Sequence, residues 1–113
     1  MIVILNPQLV YQALERGALC FSPVPARLER TIKIPETRIF ELPDVRDGSY
    51  GGVAFRQGRH RTAALAILGF TAYPVVTTDE DADVLLRKFG ASLVDAIKRF
   101  DLSSISDYPV QGL

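Results

Sequence analysis

Tryptophan is absent from this 113-residue chain, and cysteine and histidine occur once each, as Cys20 and His60. A solitary cysteine excludes an internal disulfide, and one thiol with one distant imidazole gives no zinc-ligand spacing. Net charge is missing too. Thirteen basic and thirteen acidic side chains cancel, so no overall field draws the chain to nucleic acid or to a membrane surface, and any attraction for anions must be local. No apolar run approaches the roughly 18 residues of a spanning helix. The opening MIVILNPQ reaches a turn signal far sooner than a secretory segment would. The expectation is a soluble protein of the reducing cytoplasm, without a membrane partner.

What the chain does contain is apolar side chains, at 48% of its residues, enough for one ordinary core, and a single domain over residues 1–113 is expected. Ile2 to Leu5 reads as a short strand. Asn6-Pro7 then opens a helix over about residues 7–16, with Leu9, Val10, Ala13 and Leu14 at helical spacing and Gly17 as its stop. Prolines at 23, 25, 35 and 43 divide the next segment into extended pieces, with strands expected at Thr31–Ile34 and Arg38–Leu42. Asp44 to Gly52 is rich in turn residues and reads as a loop.

A strand Val53-Ala54-Phe55, a loop Arg56-Gln57-Gly58, and a helix from Arg59 to about Leu68 follow; Ala63, Ala64, Ile67 and Leu68 form the apolar stripe and Gly69 the stop. Thr71 to Thr77 is a further strand. Strand, helix and strand at this length suggest a βαβ-like unit with parallel strands. Thr77 and Glu80 have capping-box spacing before a helix with Ala82, Leu85, Leu86 and Phe89 on one face, which Gly90 breaks. Ser92 then caps a helix with the stripe Leu93, Ala96, Ile97 and Phe100, and the tail from Asp101 is expected to be loose.

Charge is concentrated in one place, FRQGRHRTAALAILGF, from Phe55 to Phe70. If the strand ends near Phe55 and the helix begins at Arg59, Gly58 occupies the corner, where the outward-facing N–H groups of a helix start favour phosphate. A glycine there lets an anion approach the backbone. Cations near a helix N-terminus are disfavoured by a few tenths to about 1 kcal/mol each, so Arg59, His60 and Arg61 oppose the local preference. A bound phosphate would reverse that penalty, and arginine can grip two of its oxygens at once. His60 is expected to act as a neutral donor rather than as a general base.

The run Gly58-Arg59-His60-Arg61-Thr62-Ala63-Ala64, after an apolar strand and before Gly69, Pro74 and Val75, resembles the phosphate-binding segment shared by the ParB N-terminal domain and sulfiredoxin. The resemblance covers Val53 to Thr77. It implies an α/β (α+β) fold, a small mixed sheet with flanking helices; together with the helix-start reading, the expected phosphate contacts are Gly58, Arg59, His60, Arg61 and Thr62. In sulfiredoxins the stretch reads Phe-Gly-Gly-Cys-His-Arg, and the His and Arg that hold ATP phosphates match His60 and Arg61. In ParB proteins a Gly-Glu-Arg-Arg box helps bind CTP, matching Gly58 and Arg61. The implied cofactor is therefore ATP or CTP, with Mg2+ left open.

Departures limit the analogy. Arg59 stands where sulfiredoxins carry the nucleophilic cysteine, which excludes that chemistry, and Cys20 offers no evident replacement. ParB's second nucleotide box and helix-turn-helix domain have no counterpart. A third branch, similar to plasmid fertility-inhibition factors for which nuclease and nucleotide-hydrolysing activities are proposed, has an acid where this chain has Gln57, and an amide cannot act as a base. Catalysis is thus left open. The expected function is phosphate binding of a nucleotide or of a nucleic-acid backbone such as DNA, with nucleotide hydrolysis or nuclease activity left open; the competing one is a non-enzymatic adaptor or inhibitor acting by protein contact.

Other polar features have ordinary readings. The acids Asp79, Glu80, Asp81 and Asp83 suit a first helical turn better than a metal, for which Glu80 and Asp83 would be the donors. Tyr11, Tyr50, Tyr73 and Tyr108 are too scattered for a base-stacking platform. Arg27, Arg30, Lys33, Ser49 and Tyr50 would reach the phosphate only if folding brought them to it.

Overall fold

Ile2–Leu5 (β1) is apolar and buried at all four positions, the pattern of a strand covered on both faces. In the computed structural model, which describes residues 1–15, 42–48, 52–100, 102 and 109–113, β1 lies inside a five-stranded sheet. The other strands are Asp44–Asp47 (β2), Val53–Gln57 (β3), Tyr73–Val76 (β4) and Val110–Gln111 (β5), in the order β3-β2-β4-β1-β5. The sheet is mixed: β1 runs antiparallel to β4 and parallel to β5, while β2 runs antiparallel to β3 and parallel to β4. The helices are Pro7–Glu15 (α1), Arg59–Ile67 (α2), Asp79–Phe89 (α3) and Leu93–Ile97 (α4). A small α/β fold with a mixed sheet and flanking helices is the expected architecture.

Alternation along the strands divides the core. Val3, Leu5, Tyr73, Val75 and Val45 join Val10 of α1, Leu65 of α2 and Leu85 and Phe89 of α3 in the main cluster. Ile4 faces the other way, with Ala72 and with Ala96 of α4. None of the described helices is long and apolar enough to cross a membrane.

Several expectations need correction. Asp44 to Asp47 is a strand and not loop, because Val45 is fully buried and the charged neighbours find partners. Arg46 Nε donates to Asp44 at 2.9 Å, Lys88 Nζ to Asp47 at 2.6 Å, and the Asp47 N–H to Asp81 at 3.1 Å. Arg56 and Gln57 likewise belong to β3 rather than to a loop. The strands on either side of α2 are neither neighbours nor parallel. β2 separates β3 from β4, and their common relation to β2 makes them antiparallel. The helix packs principally on α1 instead of returning along a parallel pair.

Helix faces and caps also shift. α2 buries Thr62, Ala63, Ala64 and Leu65, while Ile67 and Leu68 are 56% and 43% exposed, because the middle turn is enclosed and the end protrudes. The cap of α3 is Thr78, which accepts from the Asp81 N–H at 3.2 Å, and not Thr77. Ser92 occupies the N-cap of α4 without a side-chain capping bond, and Ile97 on its expected apolar stripe is 58% exposed. The expected loose tail contributes β5, whose Val110 and Gln111 pair with Ile2 and Val3. The expected strands at Thr31–Ile34 and at 38–41, together with Gly17, Cys20, Arg27, Arg30, Lys33, Ser49, Tyr50 and Tyr108, lie outside the described residues; Leu42 is described and is not in a strand.

Candidate anion-binding site

The corner between β3 and α2 is built around one backbone conformation. Gly58 has φ 95° and ψ 14°, in the left-handed region, and as N-cap it ends the strand and opens the helix within a single residue. A side chain is excluded there twice over, by the positive φ and by Pro43, since an added Cβ would lie 2.5 Å from the Pro43 Cβ. Pro43 is itself fixed by the sheet, its carbonyl accepting from the Val76 N–H at 2.9 Å. The first internal bond of the helix runs from the Thr62 N–H to the Gly58 carbonyl at 3.0 Å.

At this corner lies an open hollow of about 310 Å3, bounded by Arg56, Gln57, Gly58, Arg59, His60 and Arg61 together with Phe55. Arg56 and Arg59 are exposed, while His60 and Arg61 are half-buried. The Arg61 Nε is shielded from solvent, which strengthens its electrostatic influence relative to the exposed pair. No acid lies in the first turn of α2. α3 provides the contrast within the same molecule: Asp79, Glu80 and Asp81 fill its first turn and Arg87 and Lys88 its last, as the macrodipole prefers. The start of α2 has the reverse arrangement, with positive charge added to the positive end of the helix.

Of the residues expected at the site, Gly58, Arg59, His60 and Arg61 come together around the hollow. Thr62 does not join them. Its side chain is fully buried and its hydroxyl lies 2.8 Å from that of Tyr73. Burial pushes the Tyr73 phenol well above its ordinary value, with the Thr62 hydrogen bond acting in the opposite direction. Arg56 was expected in the loop of this corner but not among the phosphate contacts, and Pro43 and Tyr73 were not expected to support it. A tyrosine within an apolar strand was the available signal, because a buried phenol ordinarily finds a hydrogen-bond partner. Nothing local in the sequence ties Pro43 to Gly58.

Around the acidic run, Asp81 is engaged with the Asp47 N–H, and Glu80 and Asp83 are exposed. Among the described residues no group of three or more His, Cys, Asp or Glu is placed to hold a metal.

The fold and the corner thus define a small mixed-sheet α/β protein with a basic hollow at a glycine-opened helix start. No family model and no curated protein matches the sequence. Among solved structures, the fold is similar to that of Oncogenic Suppression Activity Protein, a plasmid fertility inhibition factor crystallised as a gold(I) cyanide derivative. The TM-score is 0.60 at 21% sequence identity, over 80% of this chain and 57% of that one. This chain therefore spans little more than half the length of the protein whose fold it shares.

Proposed function

We propose that this chain is a phosphate-binding domain of ParB/sulfiredoxin type that holds a nucleotide or a nucleic-acid backbone at the β3–α2 corner. The observation carrying this reading is that Arg56, Arg59, His60 and Arg61 bound one hollow at a helix start with no acid in its first turn. Arg61, partly desolvated, is the principal anchor; Arg59 and Arg56 supply exposed guanidinium groups, and His60 a further donor. ATP and CTP are the nucleotides to test, with and without Mg2+. In a phosphoryl-transfer reaction these donors would stabilise charge on the transferred group. Gln57 would not supply the base.

Isothermal titration at low ionic strength with ATP, CTP, inorganic pyrophosphate and a short single-stranded DNA checks the proposal. Saturable binding is expected for at least pyrophosphate. Arg61→Ala should weaken it at least tenfold, the loss expected of one charge-assisted contact, without altering the circular dichroism spectrum. An unchanged affinity in that variant would remove the site from consideration.

A second reading, a non-enzymatic inhibitor acting by protein contact, is favoured by the fertility-inhibition description of the structural neighbour and by Gln57 at the position of an acid. Wild-type protein that binds none of the four phosphate compounds would favour this alternative. If binding occurs, analysis of the nucleotides and DNA for hydrolysis products separates an enzyme from a binding module.

A further inference from the structure

Tyr73 is buried in β4 with Leu5 as its cross-strand partner, and its hydroxyl is 2.8 Å from that of Thr62. Thr62 is also the residue whose N–H engages the Gly58 carbonyl, at 3.0 Å. The two bonds connect the sheet to the corner. A threonine inside a helix has another option, turning its hydroxyl onto the carbonyl four residues before it, a contact that bends helices. For Thr62 that carbonyl belongs to Gly58. The Gly58 carbonyl and the Arg59 N–H share one planar peptide unit and point in opposite directions, so tilting the carbonyl also turns the Arg59 amide, and Arg59 lines the hollow.

We infer that Tyr73 is a positioning residue for the anion corner: by holding the Thr62 hydroxyl in the rotamer that faces β4 it keeps that hydroxyl off the Gly58 carbonyl, leaves the carbonyl to the Thr62 amide, and so holds the first turn of α2 in its binding geometry. The inference rests on the phosphate-binding reading. It assigns Thr62 a role behind the site, in place of direct contact with the anion. Tyr73 touches neither the ligand nor the hollow, and acts through Thr62 alone.

The test is pyrophosphate affinity measured by titration calorimetry on the full chain, at a temperature where every variant is folded. Tyr73→Phe should weaken binding by about three- to tenfold, the factor associated with one ordinary hydrogen bond. Adding Thr62→Val removes the misdirected hydroxyl while keeping the shape of the side chain, and should restore affinity to within about twofold. Val75→Ala, a core truncation on the same strand, should lower the melting temperature without changing affinity, which separates positioning from general stability. Wild-type affinity in Tyr73→Phe would overturn the positioning role and leave phosphate binding standing. Failure of the double variant to recover would overturn the hydroxyl competition at its centre. Absence of pyrophosphate binding by the wild type would overturn both this inference and the reading beneath it.

Discussion

Gly58 and Gly69 both have positive φ, at 95° and 83°, but their surroundings differ. Gly69 follows α2 in a Schellman arrangement, with the Phe70 N–H donating to Leu65 and the Gly69 N–H to Ala66, and nothing stands where its Cβ would be. Gly58 faces Pro43. Alanine at Gly69 should therefore cost about 1 kcal/mol, the left-handed penalty alone. Gly58→Ala should cost at least about 1 kcal/mol more, because overpacking is added. Urea denaturation of the two variants measures the difference, and equal costs would mean that Pro43 yields. Both glycines were legible as corners from their positions between periodic segments. The identity of the obstructing residue was not, because Pro43 reaches Gly58 through sheet pairing.

Among the elements, α3 shows how a local signal can be right in kind and displaced by one residue. Two adjacent threonines precede the helix, and both are chemically able to cap it. Thr78 does so, accepting from the Asp81 N–H, whereas Thr77 is 5% exposed and its hydroxyl has no hydrogen-bond partner among the described residues. The pairing of Thr77 with Met1 decides the choice: the Thr77 N–H donates to the Met1 carbonyl at 3.0 Å, which draws that residue into the sheet's margin. Thr78→Ala should lower stability by about 1 kcal/mol. Thr77→Val, which exchanges an unsatisfied buried hydroxyl for a methyl group, should be neutral or stabilising. Thermal denaturation of both variants checks the assignment, and a larger loss in Thr77→Val would reverse it. Helices α1, α2 and α3 were readable because their apolar spacing and end signals are local. β2 was not, since Asp-Val-Arg-Asp becomes a strand only when α3 supplies Asp81 and Lys88 to its polar groups.

For the whole molecule, the sheet is closed at one side by residues distant in sequence. β5 covers the outer edge of β1, the Ile2 N–H donates to Pro109 at 3.0 Å, and the Leu113 N–H donates to Ala91 at 2.8 Å. Removing residues 109–113 should cost about 1–3 kcal/mol and leave an apolar strand as an open edge, a template for self-association. Light scattering across protein concentration, combined with urea denaturation, should reveal both effects; a monomeric variant of unchanged stability would show that β5 is dispensable. By itself the sequence determined the helical segments, the glycine-marked corner and the concentration of arginines at the start of α2, because spacing, capping and helix-end electrostatics act within a few residues. Tertiary structure decided that β2 lies between β3 and β4, that Pro43 closes on Gly58, and that Thr62 turns toward Tyr73 instead of the hollow. Those outcomes depend on which distant strands pair and which faces they bury, and short-range pattern carries no record of either.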